Sequence, residues 1–359
     1  MSHIAFYAPM KSPTHPIPSG DRAVARALLK IFGTDAAQVS SLRTYDGKGD
    51  IDVQTGLIRQ AEVEAEQLIE KGRAEDWQLW FTYHNYYKAP DLTGPIVSST
   101  LGIPYVLLEA TRAKKRLEGP WGKFASLAEN ACDQADIILY FTQQDRQALE
   151  AYRVEGQQII HLPPFLAETK TAPPREKPKK NTILSVGMMR TGAKANSYAL
   201  IAQTLNALKT TDWHLDIIGD GPVRPEIEAM FTPFEERVTF LGQLDKSAIA
   251  EQYANAAVFL WPGVDEAFGM TYLEAQAAGL PIVAQNRPGL CDVIAPLTKL
   301  SAVGQAADMA HDVERYLYDA EYWQAHSHAG LEYIRQNHLL GTARKNLMTV
   351  LNPLIGSRP

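Results

Sequence analysis

Short apolar runs alternate with longer amphipathic stretches along the first half of the chain. Runs rich in β-branched and aromatic residues predict strands at 3–8, 37–40, 79–83, 105–108 and 137–141. Stretches with apolar positions at helical spacing separate them, at 21–32, 53–71, 122–134 and 143–152. This alternation is typical of βαβ units, in which helices cover a parallel sheet. We therefore predict an α/β domain.

The same alternation starts again in the second half. It predicts strands at 182–186, 215–218, 238–240, 257–260 and 282–284, with helices at 197–208, 223–230, 246–256, 270–278 and 306–318. Between the halves lies HLPPFLAETKTAPPREKPKKN, whose prolines exclude a regular element and indicate a linker. We predict one domain at 1–165, a linker at 166–180 and a second domain at 181–338. Two doubly wound domains imply a cleft between the carboxyl ends of two sheets, where open α/β folds bind ligands.

The composition argues against a nucleic-acid-binding protein, a disulfide-stabilised protein and a membrane-spanning protein. The 359 residues carry a formal net charge of -6, which argues against a nucleic-acid partner because binding to phosphates needs many cations. Two cysteines are too few for a disulfide framework, so we expect a reducing, cytoplasmic location with both thiols buried. No apolar stretch approaches the roughly 20 residues that cross a bilayer, and the N-terminus lacks the features of a signal peptide.

The most informative stretch is PGVDEAFGMTYLEAQAAGLPIVA, at 262–284. A helix is predicted to begin near Met270, directly after a strand and a loop. Its first amides, from Gly269 to Tyr272, would be free donors at a positive helix end and would suit a diphosphate. Glu266 and Glu274 would flank that anion and accept hydrogen bonds from hydroxyls of a sugar and of a ribose. A surface acid or a dipole-stabilising acid explains either glutamate alone better, but their combined context favours the binding site.

This stretch resembles the retaining glycosyltransferases of family four, which use nucleotide sugars. The likeness rests on the two glutamates with seven residues between them, the phenylalanine and glycine after the first, and the GLPIVA strand. It continues through ILSVGMMR, HLDIIGDGP and VTFLGQL and covers about 183–293. It implies the GT-B fold, an α/β architecture of two doubly wound Rossmann-like domains facing each other across a cleft. It also implies that the C-terminal segment, 339–359, crosses back to the first domain.

The resemblance implies roles for individual residues of the second domain. Glu266 would contact the transferred sugar and Glu274 would hold the ribose. The residues that would lie by the sugar and diphosphate are Phe268, Gly269, Met270 and Thr271. Arg190 and Lys194 follow the first strand of this domain, where two cations could neutralise a diphosphate leaving group, although solvated loop cations are the alternative. Met188 stands where the arginine of the family usually follows the glycine.

Two glycines are implied to border the nucleotide base. Gly221 lies in GDGP and Gly242 in FLGQL. GDGP lacks the third glycine of a dinucleotide fingerprint, so a simple strand-to-helix turn explains its sequence better.

In the first domain, Gly20 belongs to a loop that the family turns toward the donor diphosphate and acceptor, although helix capping by Ser19 or Asp21 explains the sequence alone. His84 follows one predicted strand, and Glu109 follows another at a position where many family members have histidine. We expect both to face the cleft and serve the acceptor or transferred sugar. A hydrogen-bonded structural histidine is the alternative.

Other signals are weaker. The basic run Arg112, Lys114, Lys115 and Arg116 is typical of a solvated face, or of one that meets an anionic acceptor or a membrane surface. The pair Asp50 and Asp52 forms a D-x-D by chance. Neither a phosphate-binding P-loop nor a G-x-S-x-G nucleophile elbow occurs.

We therefore predict a retaining hexosyltransferase of the GT-B type that serves bacterial-type glycan or glycolipid synthesis. Its donor would be a nucleoside diphosphate sugar, and its acceptor a glycan, lipid or small molecule. We expect no cofactor, no essential metal and no nucleic-acid partner, with contact at most peripheral to the inner membrane surface. A nucleotide-sugar epimerase of the same fold and a noncatalytic nucleotide-sugar-binding protein are the alternatives.

Overall fold

The computed structural model describes residues 3–16 and 19–355. The chain divides into two compact units, Met1–Ala167 with Leu340–Pro359, and Glu168–Leu339. Each unit is built on one fully parallel sheet with helices between successive strands. The predicted α/β class with two Rossmann-like domains is confirmed.

The sheet of the first unit has six strands in the order β2-β1-β3-β4-β5-β6. The strands are β1 (Ile4–Tyr7), β2 (Ala36–Gln38), β3 (Leu79–Asn85), β4 (Tyr105–Ala110), β5 (Ile137–Tyr140) and β6 (Gln158–His161). The helices are α1 (Gly20–Phe32), α2 (Ile51–Glu75), α3 (Gly94–Leu101), α4 (Gly122–Gln134) and α5 (Gln143–Ala151). Strand order reverses between β1 and β3, so the carboxyl ends of these two strands form the topological switch point, where ligands bind in such sheets.

The sheet of the second unit has five strands in the order β11-β10-β7-β8-β9. The strands are β7 (Thr182–Val186), β8 (His214–Ile218), β9 (Val238–Gly242), β10 (Val258–Leu260) and β11 (Ile282–Val283). The helices are α6 (Ala193–Asn206), α7 (Arg224–Phe231), α8 (Lys246–Asn255), α9 (Met270–Ala277), α10 (Ala306–Tyr318) and α11 (Ala320–Asn337). Here the order reverses between β7 and β10, which sets a second switch point.

The final helix, α12 (Leu340–Leu351), belongs to the first unit and packs against α1. Its buried residues recur every three or four positions and form one apolar stripe: Leu340, Ala343, Leu347 and Leu351. The segment from 168 to 178 contains no helix or strand. Arg175 ties that segment to the rest of the second unit by donating to the backbone carbonyls of Tyr253, Ala256 and Ala278.

Two sequence expectations about charge and thiols are wrong. Arg112 is not solvated, because its buried guanidinium donates to Glu129 at 3.0 Å and also pairs with Asp133. Burial raises the pKa of the Cys132 thiol to about 12, but Cys291 is exposed rather than buried.

No helix among residues 3–16 and 19–355 is both long and apolar enough to span a bilayer.

The D-x-D pair is part of a helix cap. The Asp50 carboxylate accepts hydrogen bonds from the amides of Asp52, at 2.9 Å, and Val53, at 3.2 Å, at the start of α2. Within the described residues, no three His, Cys, Asp or Glu side chains are arranged to hold a metal ion.

We expect Asp50→Ala to lower the free energy of unfolding by about 1 kcal/mol, because an N-cap carboxylate satisfies otherwise free amides. Asp52→Ala is the matched control, since it lies in the first helical turn and loses only its interaction with the helix dipole. Urea denaturation of both variants measures the difference. Equal losses would contradict the capping role.

Candidate active site

An ion pair joins the two loops at the switch point of the second sheet. Lys194 lies in the first turn of α6, after β7, and Glu266 lies in the loop between β10 and α9. Because β7 and β10 are neighbouring parallel strands, both loops leave the same edge of the sheet. Lys194 Nζ pairs with Glu266 Oε1, and the two side chains are 26% and 15% exposed. A ligand at this edge can therefore reach both charges.

A buried tryptophan holds the glutamate in place. Trp261 Nε1 donates to Glu266 Oε1 at 3.0 Å, and the Trp261 ring centroid lies 5.3 Å from Lys194 Nζ. Gly187 makes room for the indole, because a Cβ atom there would lie 2.5 Å from the ring. Trp261 and Gly187 were not among the predicted site residues. The signals that could have indicated them are the glycine directly after β7 and the tryptophan directly after β10.

The start of α9 borders this pair. Gly269 has φ +73°, and a Cβ atom there would lie 2.7 Å from the Tyr272 ring, so conformation and space both favour glycine. The Tyr272 amide donates to the Gly269 carbonyl at 3.1 Å, so the predicted set of free amides is wrong for Tyr272. The amides of Met270 and Thr271 have no backbone acceptor in the described residues. Gly269, Met270 and Thr271 are partly exposed, whereas the Phe268 side chain is buried.

Glu274 lies one turn further along α9. Burial raises its pKa to about 7, with a further increase from the charge of Glu168, while a hydrogen bond from Tyr253 and the charge of Lys246 oppose the increase. The Tyr253 hydroxyl donates to Glu274 Oε2 at 3.2 Å. Near neutral pH this carboxyl is therefore poised between its neutral and ionised forms. Tyr253 was also not predicted, because it lies on a separate helix, α8.

The remaining predicted residues of this unit surround the loop after β7. Arg190 is exposed, and its guanidinium makes no hydrogen bond or ion pair within the described part of the chain. A Cβ atom at Gly221 would lie 2.2 Å from the Met189 carbonyl oxygen, so glycine lets the GDGP turn pack against this loop. Gly242 ends β9, and its carbonyl accepts a hydrogen bond from Gly219 at 2.8 Å. Both glycines thus have local structural roles.

In the first unit, His84 and Glu109 lie at the same level of neighbouring strands. Tyr83 pairs with Leu108 and Asn85 with Ala110, which leaves His84 opposite Glu109. Both residues have positive φ, +74° and +60°, a conformation that costs of order 1–3 kcal/mol per residue and occurs often at functional sites. β3 and β4 extend further than predicted. Both residues therefore lie within the last residues of these strands rather than in the loops that follow them.

The two side chains form an electrostatic pair. His84 Nδ1 lies 3.6 Å from Glu109 Oε2, beyond hydrogen-bond length, and both atoms are buried without a hydrogen-bond partner. Burial lowers the pKa of His84, but the charges of Glu109 and Asp21 outweigh that effect and leave it raised. Burial also raises the pKa of Asp21. The pKa of His84 is thus raised by the charges of two carboxyl groups, those of Glu109 and Asp21.

Gly20 and Ser19 differ in what the structure requires of them. Ser19 caps α1, since its hydroxyl accepts a hydrogen bond from the Arg22 amide at 3.2 Å. Gly20 is exposed, its conformation is open to any residue, and a Cβ atom there would meet nothing within 4 Å. The backbone itself therefore does not require glycine at this position.

The sequence matches one family model within the second unit and individual proteins over shorter or longer stretches. Residues 180–319 match the family model described as Glycosyl transferases group 1. A 2-deoxystreptamine glucosyltransferase of Streptomyces kanamyceticus is 27% identical over 305 residues, which span 77% of this chain and 76% of that protein. Two further relatives align over only 22% and 54% of their own length.

Solved structures match the whole fold. Sucrose-phosphate synthase from Thermosynechococcus elongatus has a TM-score of 0.72 at 16% identity, over 99% of both chains. HepE of Anabaena, solved in complex with UDP, has a TM-score of 0.75 at 15% identity, over 98% of this chain and 100% of that one. At such identities the likeness concerns the fold, which is GT-B. Together with the family-model match, these comparisons support a glycosyltransferase with the GT-B fold.

Proposed function

We propose that this protein transfers a hexosyl group from a nucleoside diphosphate sugar to an acceptor hydroxyl with retention of anomeric configuration. The observation that carries the proposal is the Lys194–Glu266 pair, which lies at the β7/β10 switch point beside the start of α9. At this sheet edge, the cation and the helix end suit the diphosphate of such a donor, and the carboxylate suits hydroxyls of its sugar. The UDP complex of a structural neighbour gives independent support.

In the proposed donor site, five groups of the second unit would bind different parts of the donor. Lys194 and Arg190, with the first amides of α9, would stabilise the charge that grows on the departing diphosphate. Glu266 would accept hydrogen bonds from hydroxyls of the transferred sugar. Glu274 would accept them from the ribose. These charges all come from the chain, so we propose that no metal ion is essential.

The proposed transfer breaks the bond between C1 of the sugar and the diphosphate oxygen and forms one between C1 and the acceptor oxygen. The acceptor proton passes to an oxygen of the departing diphosphate. Attack on the face that the diphosphate leaves retains the configuration at C1. In the first unit, His84, Glu109 and Asp21 would orient the acceptor, because they lie at the carboxyl ends of β3 and β4 and the start of α1.

Product analysis tests the reaction type. Nuclear magnetic resonance of mixtures with UDP-, GDP-, ADP- and TDP-sugars, in excess EDTA, should reveal a new glycoside with the anomeric configuration of its donor and free nucleoside diphosphate. An inverted product would contradict retention, and loss of turnover in EDTA would contradict metal independence. An epimerised donor would indicate an epimerase, and binding without turnover a sensor; the transferase relatives do not favour either.

We expect Glu109→Gln to lower the transfer rate about tenfold, because a charged partner of His84 is lost at the acceptor side. Binding of the nucleoside diphosphate should stay unchanged, since the proposed donor site lies in the other unit. Glu118→Gln, at an exposed position of the same unit, is the control. A lower melting temperature with unchanged specific activity of the folded fraction would show a purely structural role.

We also propose a reducing, cytoplasmic location. Cys132 and Cys291 are both free thiols. An exposed, unpaired cysteine such as Cys291 is typical of proteins that work where thiols stay reduced.

A further inference from the structure

A row of aromatic rings extends from the His84–Glu109 pair. Ring centroids are 5.0 Å apart between His84 and Tyr86, 5.5 Å between Tyr86 and Tyr87, and 5.8 Å between Tyr87 and Trp121, all edge to face. All four side chains are partly exposed. The row therefore connects the proposed acceptor end of the first unit with the loop that precedes α4.

Two cations lie against the outer pair of rings. Lys88 Nζ is 5.7 Å from the Tyr87 centroid and 5.0 Å from that of Trp121. The Arg116 guanidinium carbon is 5.1 Å and 5.9 Å from the same two centroids. The ring faces hold both cations at one place by cation–π attraction, which limits the entropy they would lose on binding an anion.

Neither cation forms an ion pair in the described part of the chain, although the protein as a whole is acidic. Arg116 Nε is buried and donates no hydrogen bond. The neighbouring cations of the same basic run differ, because Arg112 and Lys114 both pair with Glu129, at 3.0 Å and 3.1 Å. The fold thus neutralises one end of the run and leaves Arg116 and Lys88 uncompensated beside Tyr87 and Trp121.

We propose that Lys88 and Arg116, held by Tyr87 and Trp121, bind an anionic group of the acceptor. The acceptor is then an acidic saccharide or a sugar phosphate rather than a neutral sugar. A guanidinium donates two parallel hydrogen bonds to a carboxylate or phosphate, and aromatic rings pack against the apolar face of a sugar. This inference rests on the proposed function, since it assumes that the first unit binds the acceptor.

Trp121 provides a direct probe of this site. Of the six tryptophans, all within the described residues, the other five are buried and Trp121 alone is partly exposed. The full chain would be titrated with methyl glucuronide, methyl galacturonide, glucose 6-phosphate and mannose 6-phosphate, against the matched neutral methyl glycosides. We expect at least one anionic sugar to bind about tenfold more tightly than its neutral counterpart by calorimetry. It should also change a fluorescence signal that Trp121→Phe abolishes.

Three variants localise the anionic preference. Lys88→Gln and Arg116→Gln should each weaken binding of that anionic sugar about tenfold and leave the neutral sugar unchanged. Lys115→Gln, an exposed neighbour, should change neither. If Arg116→Gln fails to fold, Lys88→Gln still tests the proposal.

Several results would overturn the inference. They are equal binding of neutral and anionic sugars, the same loss in Lys115→Gln, or binding of phosphatidylglycerol vesicles through Lys88 and Arg116 with no soluble sugar bound. Nucleotide-sugar binding is measured in the same preparations. If it persists while the anionic preference is absent, only this inference fails; if it is absent as well, the proposed function fails too.

Discussion

Lys194→Ala is expected to lower kcat about a hundredfold or more, because charge growing on the departing diphosphate would lose a preorganised cation. The ammonium is already held at the sheet edge by Glu266 and lies beside the Trp261 ring, so it needs little rearrangement during the reaction. Its removal also leaves the Glu266 carboxylate uncompensated beside the diphosphate. Turnover at saturating donor measures the effect.

Arg190→Ala is expected to lower kcat to a similar degree, for the same electrostatic reason. Arg190 is exposed and its guanidinium has no partner among residues 3–16 and 19–355, so we expect its role to depend on the ligand. Lys179→Ala, at an exposed position of the same unit, is the control and should retain normal turnover. Normal turnover in both Arg190→Ala and Lys194→Ala would contradict the diphosphate assignment, whereas loss in one alone would limit the assignment to that residue.

Glu274→Ala is expected to weaken nucleoside diphosphate binding by roughly 1.5 to 3 kcal/mol, because the ribose hydroxyls would lose a charged acceptor. Calorimetry with the nucleoside diphosphate measures this directly. Glu251→Ala, on the exposed face of α8, is the control. Unchanged affinity in Glu274→Ala would contradict the ribose-binding role.

The raised pKa of Glu274 adds a pH dependence. Its carboxyl has a pKa of about 7 instead of 4.5, so it ionises as the pH rises from about 6 to 8. If the ionised form binds ribose better, nucleotide affinity should rise over this range and level off above it. The same raised pKa contributes stability below pH 4.5 that is lost as the pH rises through 7. Glu274→Gln should remove this component and leave only the titration of the nucleotide phosphates.

Local patterning was sufficient to predict most of the architecture. Apolar β-branched runs such as 182–186 and amphipathic stretches such as 122–134 coincide with β7 and α4, because each buries a continuous apolar surface regardless of its partners. The edge strand β6 was missed, since polar residues occupy both of its exposed ends. The short helix α3 was missed because it begins with glycine and proline and carries two serines.

The sequence could predict which site residues follow strands, but not which of them come into contact. Lys194 and Glu266 were predicted separately, but their contact joins residues 72 positions apart and depends on the adjacency of β7 and β10. The basic run wrongly indicated a solvated Arg112, because its partners Glu129 and Asp133 are distant in sequence and lie on a later helix, α4. The sequence does not indicate the positive φ of Glu109, since glutamate rarely adopts it. Histidine adopts positive φ more often than most residues, but still too seldom for its presence at position 84 to predict it.

Binding of nucleotide sugars to the second unit is the central claim, and a thermal-shift screen with UDP-, GDP-, ADP- and TDP-sugars tests it most directly without knowledge of the acceptor. At a hundred times its dissociation constant, a donor adds about 2.7 kcal/mol of stability. We predict a raised melting temperature with at least one of these donors, and a smaller rise in the Glu274→Ala and Lys194→Ala variants. No shift with any donor at millimolar concentration, or an equal shift in wild type and both variants, would contradict the account.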